Sequence, residues 1–383
     1  MKVSVQARGA VRSVLAGAVL AVLTASPLLA QRPFARPRLA ASADTNSWEA
    51  YFDHGVEVLR RRADEAEASF YWASRLDPTR AEPLFARWVA FYLLDQKRWT
   101  DYLDGDEKVL AKPEVVAHDS LRLAAMARNP FVHRGLEIIL YDELPGYWRR
   151  DDLTQGWIAY ARPDYPAALR HFDRAVRRDP RRYAWLRALR AQVFVARRQY
   201  DSAQAEMSTL RAELARRDAQ RTIVAYESKE LLDYAIGLLY AIQGQPERAQ
   251  EALQSAFVEN LAFHPAQLTL GDMALNSRDA AAAAKQYEDG LVAGSQDAVL
   301  QYHYGLALAT LGRDADAVAA LRRAVALEAW YPAPWLGLGR VLERTGDTAG
   351  ARAAYETFVA RAPRSAAQEL GFARGRLAAM PAH

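Results

Sequence analysis

The sequence contains no cysteine. This absence excludes a disulfide framework, a cysteine-ligated zinc site and attachment of a lipid to an N-terminal cysteine. The seven histidines are scattered, and no pair has the His-Glu-x-x-His spacing of a catalytic zinc helix. We therefore predict no metal site and no cofactor.

Catalytic motifs are also lacking. The chain has neither a Gly-x-Ser-x-Gly elbow nor a phosphate-binding Walker loop. Gly337-Leu338-Gly339 begins like a dinucleotide fingerprint, but the third glycine and the preceding strand are absent. An enzyme is consequently the least favoured of three interpretations, and we predict no catalytic residues.

Lysine is scarce, with 6 residues against 44 arginines and a formal net charge of +4. We attribute this bias to genome composition and predict no nucleic-acid surface. One local excess lies in residues 170–221, which hold 14 arginines and 6 acidic residues. These arginines are expected to form a solvated outer face. The alternative is that Arg177, Arg178, Arg181 and Arg182 dock an acidic partner or an anionic lipid headgroup.

Long apolar runs are absent except near the N-terminus. Lys2, Arg8 and Arg12 precede the short apolar run Val14–Leu23, and Ala30 follows as a small residue. This layout predicts a signal peptide over residues 1–30, cleaved after Ala30, and a periplasmic or secreted protein without a membrane span. An uncleaved membrane anchor is the alternative. Two prolines and no periodicity in residues 31–46 predict a flexible leader.

The sequence does have one strong regularity, which is a period of 34 residues. Four glycines recur at this spacing, and each is followed by an alanine twelve positions later and by a large residue sixteen positions later. A period of this length indicates stacked helical hairpins. We predict that the glycines lie at close helix–helix crossings. The set comprises Gly237, Gly271, Gly305 and Gly339 with Ala249, Ala283, Ala317 and Ala351, and Leu253, Tyr287, Leu321 and Tyr355.

The last copy of the repeat resembles the tetratricopeptide repeat family, and other copies carry parts of the same pattern. Its matching residues are Trp335, Leu338, Gly339, Ala351, Tyr355 and Pro363. An upstream copy has Gly156, Tyr165, Ala168, Phe172 and Ala175, and a degenerate one has Ala191, Tyr200, Ala203 and Met207. The resemblance is strong over residues 149–363, moderate over 47–100 and weak over 101–148. We interpret the weak stretch as a worn repeat, with an inserted hairpin as the alternative.

This resemblance implies an all-α fold, namely a right-handed superhelical solenoid of antiparallel helix pairs with about six to eight repeats. Divergent repeats are expected over residues 47–148 and tetratricopeptide repeats over 149–363. Residues 364–383 are expected to form a capping helix, with Ser365 as its N-cap, and a tail.

In the family, the first helices of successive hairpins line a concave groove that holds a partner. Lysine is missing from the corresponding positions here, which disfavours a carboxylate clamp and a cytosolic chaperone-adaptor role. The alternative for several of these positions, Trp157 and Tyr234 above all, is packing against the neighbouring repeat. The candidate groove residues are Trp157, Tyr160, Trp185, Gln192, Tyr234, Leu238, Leu268, Asp272, Asn276, Tyr302, Leu306, Arg340 and Arg344.

The sequence thus favours a non-enzymatic scaffold of the bacterial cell envelope that binds an unidentified peptide or protein surface in its groove. Aromatic and arginine side chains on such a surface suit this function, because residues of these types supply most of the binding energy at interfaces. The second interpretation is a structural subunit of an envelope complex, of the polysaccharide-export or outer-membrane-assembly type.

Overall fold

The computed structural model describes residues 34–59, 61–80, 152–161, 164–178, 186–219 and 229–380, together with Pro180, Ala184 and a few positions between 82 and 90. Within this part of the chain every regular element is an α-helix. The predicted signal peptide and the stretch 101–148 lie outside the described residues.

The helices form seven successive hairpins within the described residues, and a single closing helix follows them. The first helices of the hairpins are α1 (Trp48–Val58), α3 (Asp152–Ala161), α5 (Leu186–Ala196), α7 (Lys229–Ile242), α9 (His264–Asn276), α11 (Ala298–Thr310) and α13 (Ala333–Arg344). The second helices are α2 (Ala63–Leu76), α4 (Tyr165–Arg178), α6 (Tyr200–Ala219), α8 (Pro246–Glu259), α10 (Ala280–Leu291), α12 (Asp314–Leu327) and α14 (Thr348–Arg361), and α15 (Ala367–Ala379) closes the array.

From α7 onward each hairpin packs against the next one, and the last hairpin packs against α15, so the core is a series of layers between neighbours. This arrangement confirms the prediction of an all-α solenoid of helix pairs. The right-handed twist of the whole superhelix stays a prediction.

The glycines that set the period lie beneath the large residues of the paired helix. A Cβ atom at Gly237 would lie 2.7 Å from Cγ of Leu253, and one at Gly339 would lie 2.6 Å from Cε1 of Tyr355. Side chains larger than hydrogen are excluded here because such distances are shorter than van der Waals contact. The close crossing is confirmed, and the group nearest each glycine is a side chain rather than the facing backbone.

The turns inside the hairpins share one left-handed backbone position. Gly244, Gly312 and Gly346 have φ of 70°, 73° and 83°, whereas Arg278 and Arg198 have φ of 63° and 57° at the same place in their hairpins. At each turn the following N–H donates to the carbonyl five residues earlier, for example Arg313 N to Leu308 O at 2.9 Å. This pattern ends the first helix and caps its free carbonyls.

One helix boundary differs from the sequence-based expectation. The closing helix starts at Ala367 with Ala366 as its N-cap, so Ser365 is not the cap. Leu370 and Ala373 of this helix are buried against the preceding hairpin.

The predicted flexible leader is in fact packed where the structure describes it. Residues 34–40 have no helix, but Trp72 Nε1 donates to Phe34 O at 2.9 Å and the Phe34 ring lies 5.1 Å from Tyr71. Asn46 Nδ2 donates to Ala360 O at 3.0 Å. Aromatic contacts, which proline content and missing periodicity do not reveal, hold this segment in place.

The first hairpin also contacts the last repeats. Arg75 Nη1 lies 2.8 Å from Glu328 Oε2, and the rings of Trp72 and Trp330 meet edge to face at 5.3 Å. Glu328 and Trp330 belong to the loop between α12 and α13. The described ends of the solenoid are therefore joined to each other.

Candidate peptide-binding groove

The candidate groove residues from α7 onward form three rows across the first helices. Positions four residues apart lie on one stripe of a helix, and positions 34 apart repeat that stripe on the next hairpin. The first row contains Tyr234, Leu268 and Tyr302. The second row contains Leu238, Asp272, Leu306 and Arg340. The third row contains Asn276 and Arg344.

The two tyrosines of the first row are mainly packing residues. The Tyr234 ring lies 5.4 Å from Phe263, and the Tyr302 ring lies 5.6 Å from Tyr331. Burial raises the pKa of the Tyr302 hydroxyl above its usual range. Both aromatics therefore pack at the junction between neighbouring hairpins, and both remain partly exposed.

The second row stays accessible on four successive first helices. Leu238, Asp272 and Leu306 are partly exposed, and Arg340 is exposed. The guanidinium carbon of Arg340 lies 4.6 Å from the centre of the Phe372 ring on α15, which covers one face of that cation. This row combines two apolar side chains with one charge of each sign.

Asp272 is held by two neighbours. The Tyr287 hydroxyl donates to Asp272 Oδ1 at 2.7 Å, and His303 Nδ1 lies 2.6 Å from the same oxygen. Burial, followed by the nearby Asp272 carboxylate, raises the pKa of the Tyr287 hydroxyl, which therefore stays protonated and can donate. The network fixes the orientation of Asp272 and links α9 to α11.

The two residues of the third row differ in their contacts. Asn276 is exposed at the end of α9. Arg344 donates from Nε to Asp314 Oδ2 at 3.1 Å and from Nη2 to Ala309 O at 3.0 Å. Since its guanidinium is committed to the preceding hairpin, Arg344 has mainly a structural role.

Two candidates nearer the N-terminus are buried and cannot line a groove. Tyr160 is 8% exposed and packs against Tyr165, and Gln192 is 2% exposed. Their register matches that of groove positions, but Tyr160 packs in a core that includes Leu186 and Leu189 of the next hairpin. Trp157 lies on α3, where the structure does not describe its side chain, and Trp185 lies outside the described residues.

Several arginines of the segment 170–221 form ion pairs with its own helices or those beside it. Arg187 and Arg190 both contact Glu206 at about 3 Å, and Arg211 Nε lies 2.8 Å from Asp233 Oδ1. Arg178 lies 3.9 Å from Asp152. Arg177 is exposed, whereas Arg181 and Arg182 lie outside the described residues. Part of the local charge excess thus lies in contacts within the solenoid.

Sequence reasoning missed a cluster of aromatic and arginine residues outside the repeat register. Arg36, Tyr51, Trp72 and Trp330 meet where the first hairpin contacts the loop before α13. The 34-residue period could not reveal this cluster because its members come from unrelated positions. The only feature of the sequence that pointed to it was the presence of tryptophans in the first hairpin.

Two further properties bear on the kind of function. Among the described residues, no group of three or more His, Asp or Glu side chains is placed to hold a metal ion. None of the described helices combines the length and the apolar character needed to cross a membrane.

The fold and its rows of exposed side chains define an α-helical repeat scaffold. The tetratricopeptide repeat family model matches residues 234–299, 268–334, 305–366 and 336–378. Residues 234–378 thus carry tetratricopeptide repeats, as the sequence predicted. Repeats of this family generally serve as non-enzymatic scaffolds for protein–protein interaction, and that is the class of function that the family indicates here.

Several solved structures are similar to parts of this chain at low sequence identity. MamA from Desulfovibrio magneticus is 20% identical with a TM-score of 0.37, over 50% of this chain and 96% of that one. The C-terminal part of a TPR repeat-containing protein from Cytophaga hutchinsonii is 15% identical with a TM-score of 0.44, over 59% and 93%. The APC/C hetero-tetramer Cut9–Hcn1 is 16% identical with a TM-score of 0.43, over 85% of this chain and 63% of that one. No curated protein matches the chain in sequence.

Proposed function

We propose that this protein is a non-enzymatic scaffold of the bacterial cell envelope that binds an extended peptide or a protein surface along the first helices α7–α13. The observation that carries this proposal is the accessible second row, Leu238, Asp272, Leu306 and Arg340. Tyr234 and Tyr302 hold the neighbouring helices in place beside it.

The chemistry of this row suits a peptide that carries both apolar and charged side chains. Burying the exposed parts of Leu238 and Leu306 on binding supplies the hydrophobic contribution, at about 25 cal/mol per Å² of apolar surface. Asp272 and the free face of Arg340 offer opposite charges about two hairpins apart along the row, which would fix the direction of the bound segment. Asn276 adds an exposed amide that can bond a peptide backbone.

The test compares one substitution on two faces of the same hairpin. Leu238→Arg places a charge in the second row, and Val258→Arg places the same charge on α8, where Val258 is 67% exposed. Each protein is used to capture partners from envelope extract of its native host, and each is melted. We expect Leu238→Arg to lose the partners that wild type captures, and Val258→Arg to keep them, with similar melting temperatures.

The opposite pattern, with loss only in Val258→Arg, would move the binding surface to the second helices and refute the groove. A partner that stays bound through high salt and migrates in a large particle would identify a permanent envelope subunit rather than a transient scaffold.

The envelope location rests on the basic N-terminus, the apolar run Val14–Leu23 and the small residue Ala30. N-terminal sequencing of the protein from its native host tests it. A mature chain that begins at Gln31 is expected, whereas one that begins at Met1 or Lys2 would support an uncleaved anchor.

A further inference from the structure

Outside the groove, a guanidinium is enclosed by three aromatic rings. The guanidinium carbon of Arg36 lies 5.3 Å from the ring centre of Tyr51, 4.9 Å from Trp72 and 5.0 Å from Trp330. All three distances fall within the range of about 6 Å in which a cation is attracted to an aromatic face. Arg36 Nε also donates to the Tyr51 hydroxyl at 2.8 Å. We call Tyr51, Trp72 and Trp330 the aromatic cage.

The walls of the aromatic cage also have contacts outside the segment that carries Arg36. With that segment in place Tyr51 and Trp72 are 1% and 7% exposed, and they pack in the core of the first hairpin with Ala73 and Leu76. Trp330 meets Trp72 edge to face at an interplanar angle of 78°. A site whose walls are already ordered loses little conformational entropy when its ligand arrives.

The occupant of the cage is an extended segment that lies on the surface of the hairpin. Residues 34–40 have no secondary structure, and the segment is held through Phe34 and Arg36. The Phe34 carbonyl accepts from Trp72 Nε1 at 2.9 Å, and its ring contacts Tyr71. Arg36 also donates from Nη2 to the carbonyl of Thr45. These are the contacts that a short peptide ligand would make.

We propose that the aromatic cage is a second peptide-binding site, which recognises an extended segment with an arginine two residues after an aromatic. Residues 34–36 fill it in cis, and a partner segment with the same pattern takes their place. Arginine is preferred over lysine because its planar guanidinium stacks on the rings and keeps Nε available for the Tyr51 hydroxyl. A tethered occupant has an effective concentration in the millimolar range, so it competes strongly with any segment from another chain.

The test uses the full chain and a fluorescein-labelled peptide with the sequence of residues 34–41. Phe34→Ala/Arg36→Ala empties the cage without altering a wall. Fluorescence anisotropy should show this variant binding the peptide about tenfold or more tighter than wild type, because the tethered competitor is gone. A peptide with alanine in place of Arg36 should bind at least about tenfold more weakly, although it retains Arg38. If the double variant does not fold, Arg36→Ala alone replaces it.

The contribution of the Trp330 ring is tested by adding Trp330→Leu to the Phe34→Ala/Arg36→Ala protein. This substitution keeps an apolar contact but removes the aromatic face. We expect this change to abolish peptide binding. Phe372→Ala is the matched control, since Phe372 also stacks on an arginine, Arg340, but with a single ring. It should leave peptide binding unchanged. Melting curves establish that each variant is folded.

Any of three results would overturn the proposal. The emptied protein could fail to bind the peptide, it could bind the alanine peptide equally well, or wild type could bind as tightly as the emptied protein. Equal loss of binding in Phe372→Ala would show that the peptide lies elsewhere.

Discussion

At the scale of single residues, the repeat depends on pairs of small and large side chains. Each periodic glycine leaves room for the large residue that follows it by sixteen positions, as Gly305 does for Leu321 at 2.8 Å from its would-be Cβ. Glycine inside a helix costs about 1 kcal/mol relative to alanine. The packing of the buried large residue offsets this cost.

Replacing Gly305 by leucine should therefore destabilise the protein by about 1–3 kcal/mol, because the new side chain overlaps Leu321. Chemical denaturation gives the free energy of unfolding. Gly375→Leu is the matched control, since Gly375 lies on the open face of α15 with nothing within 4 Å of its would-be Cβ. That change should be neutral or stabilising. An unchanged free energy of unfolding in Gly305→Leu would contradict the packing role.

Arg278 is a residue for which glycine is the better choice. Its φ of 63° is left-handed, which costs an L-residue roughly 1–2 kcal/mol, and it occupies the place of Gly244, Gly312 and Gly346. Since glycine has greater freedom to lose on folding, we expect Arg278→Gly to stabilise by a net of about 0.5–1 kcal/mol. The midpoint of urea denaturation measures it. Gly312→Ala should shift the midpoint in the opposite direction.

At the scale of elements, the closing helix is attached to the last hairpin by a polar network. The Tyr355 hydroxyl on α14 donates to Glu343 Oε2 of α13 at 2.9 Å, and Arg376 Nε of α15 donates to the same oxygen at 3.1 Å. The hydrogen bond from Arg376 and the one from Tyr355 together outweigh partial burial and lower the pKa of the Glu343 carboxyl. Three helices thus meet at one carboxylate.

This network should make the stability of the C-terminal end depend on pH. The folded-state pKa of Glu343 is depressed, so its contribution is fully present above the unfolded value of about 4.3 and is lost as pH falls through the folded value. We expect Glu343→Gln to lower the free energy of unfolding at pH 7 and to flatten its decline below pH of about 4.3. Denaturation at several pH values measures both. Parallel curves for the two proteins would show that Glu343 is not responsible.

At the scale of the whole molecule, contacts between distant parts of the chain distinguish this solenoid. Repeats in a solenoid normally contact only their neighbours. Here Arg75 and Glu328, which are 253 residues apart, form a hydrogen-bonded ion pair, and Asn46 bonds the end of α14. Both side chains of the ion pair are largely buried. The pair should therefore affect the free energy of unfolding more than an exposed salt bridge would.

Removing one side chain of this ion pair should lower the stability of the whole molecule, although the substitution is local. Arg75→Met leaves the Glu328 carboxylate buried without that cation, which typically costs about 3–5 kcal/mol. The double variant Arg75→Met/Glu328→Leu should recover much of the loss. Denaturation followed by tryptophan fluorescence measures both. If the single variant unfolds with wild-type stability, the first hairpin does not depend on the last repeats.

The sequence by itself determined the repeated hairpin, its turns and the kind of repeat. These features follow from spacings within one repeat, where Gly237 meets Leu253 and Gly244 ends a helix, and such local contacts are visible as a period. Only the tertiary structure decided that Tyr160 and Gln192 are buried, that Arg344 is committed to Asp314, and that residues 34–46 are docked. These outcomes depend on which hairpins cover one another and on contacts across as many as 320 residues, such as Arg364 N with Asp44. No local periodicity encodes them, because each such pair occurs once in the chain.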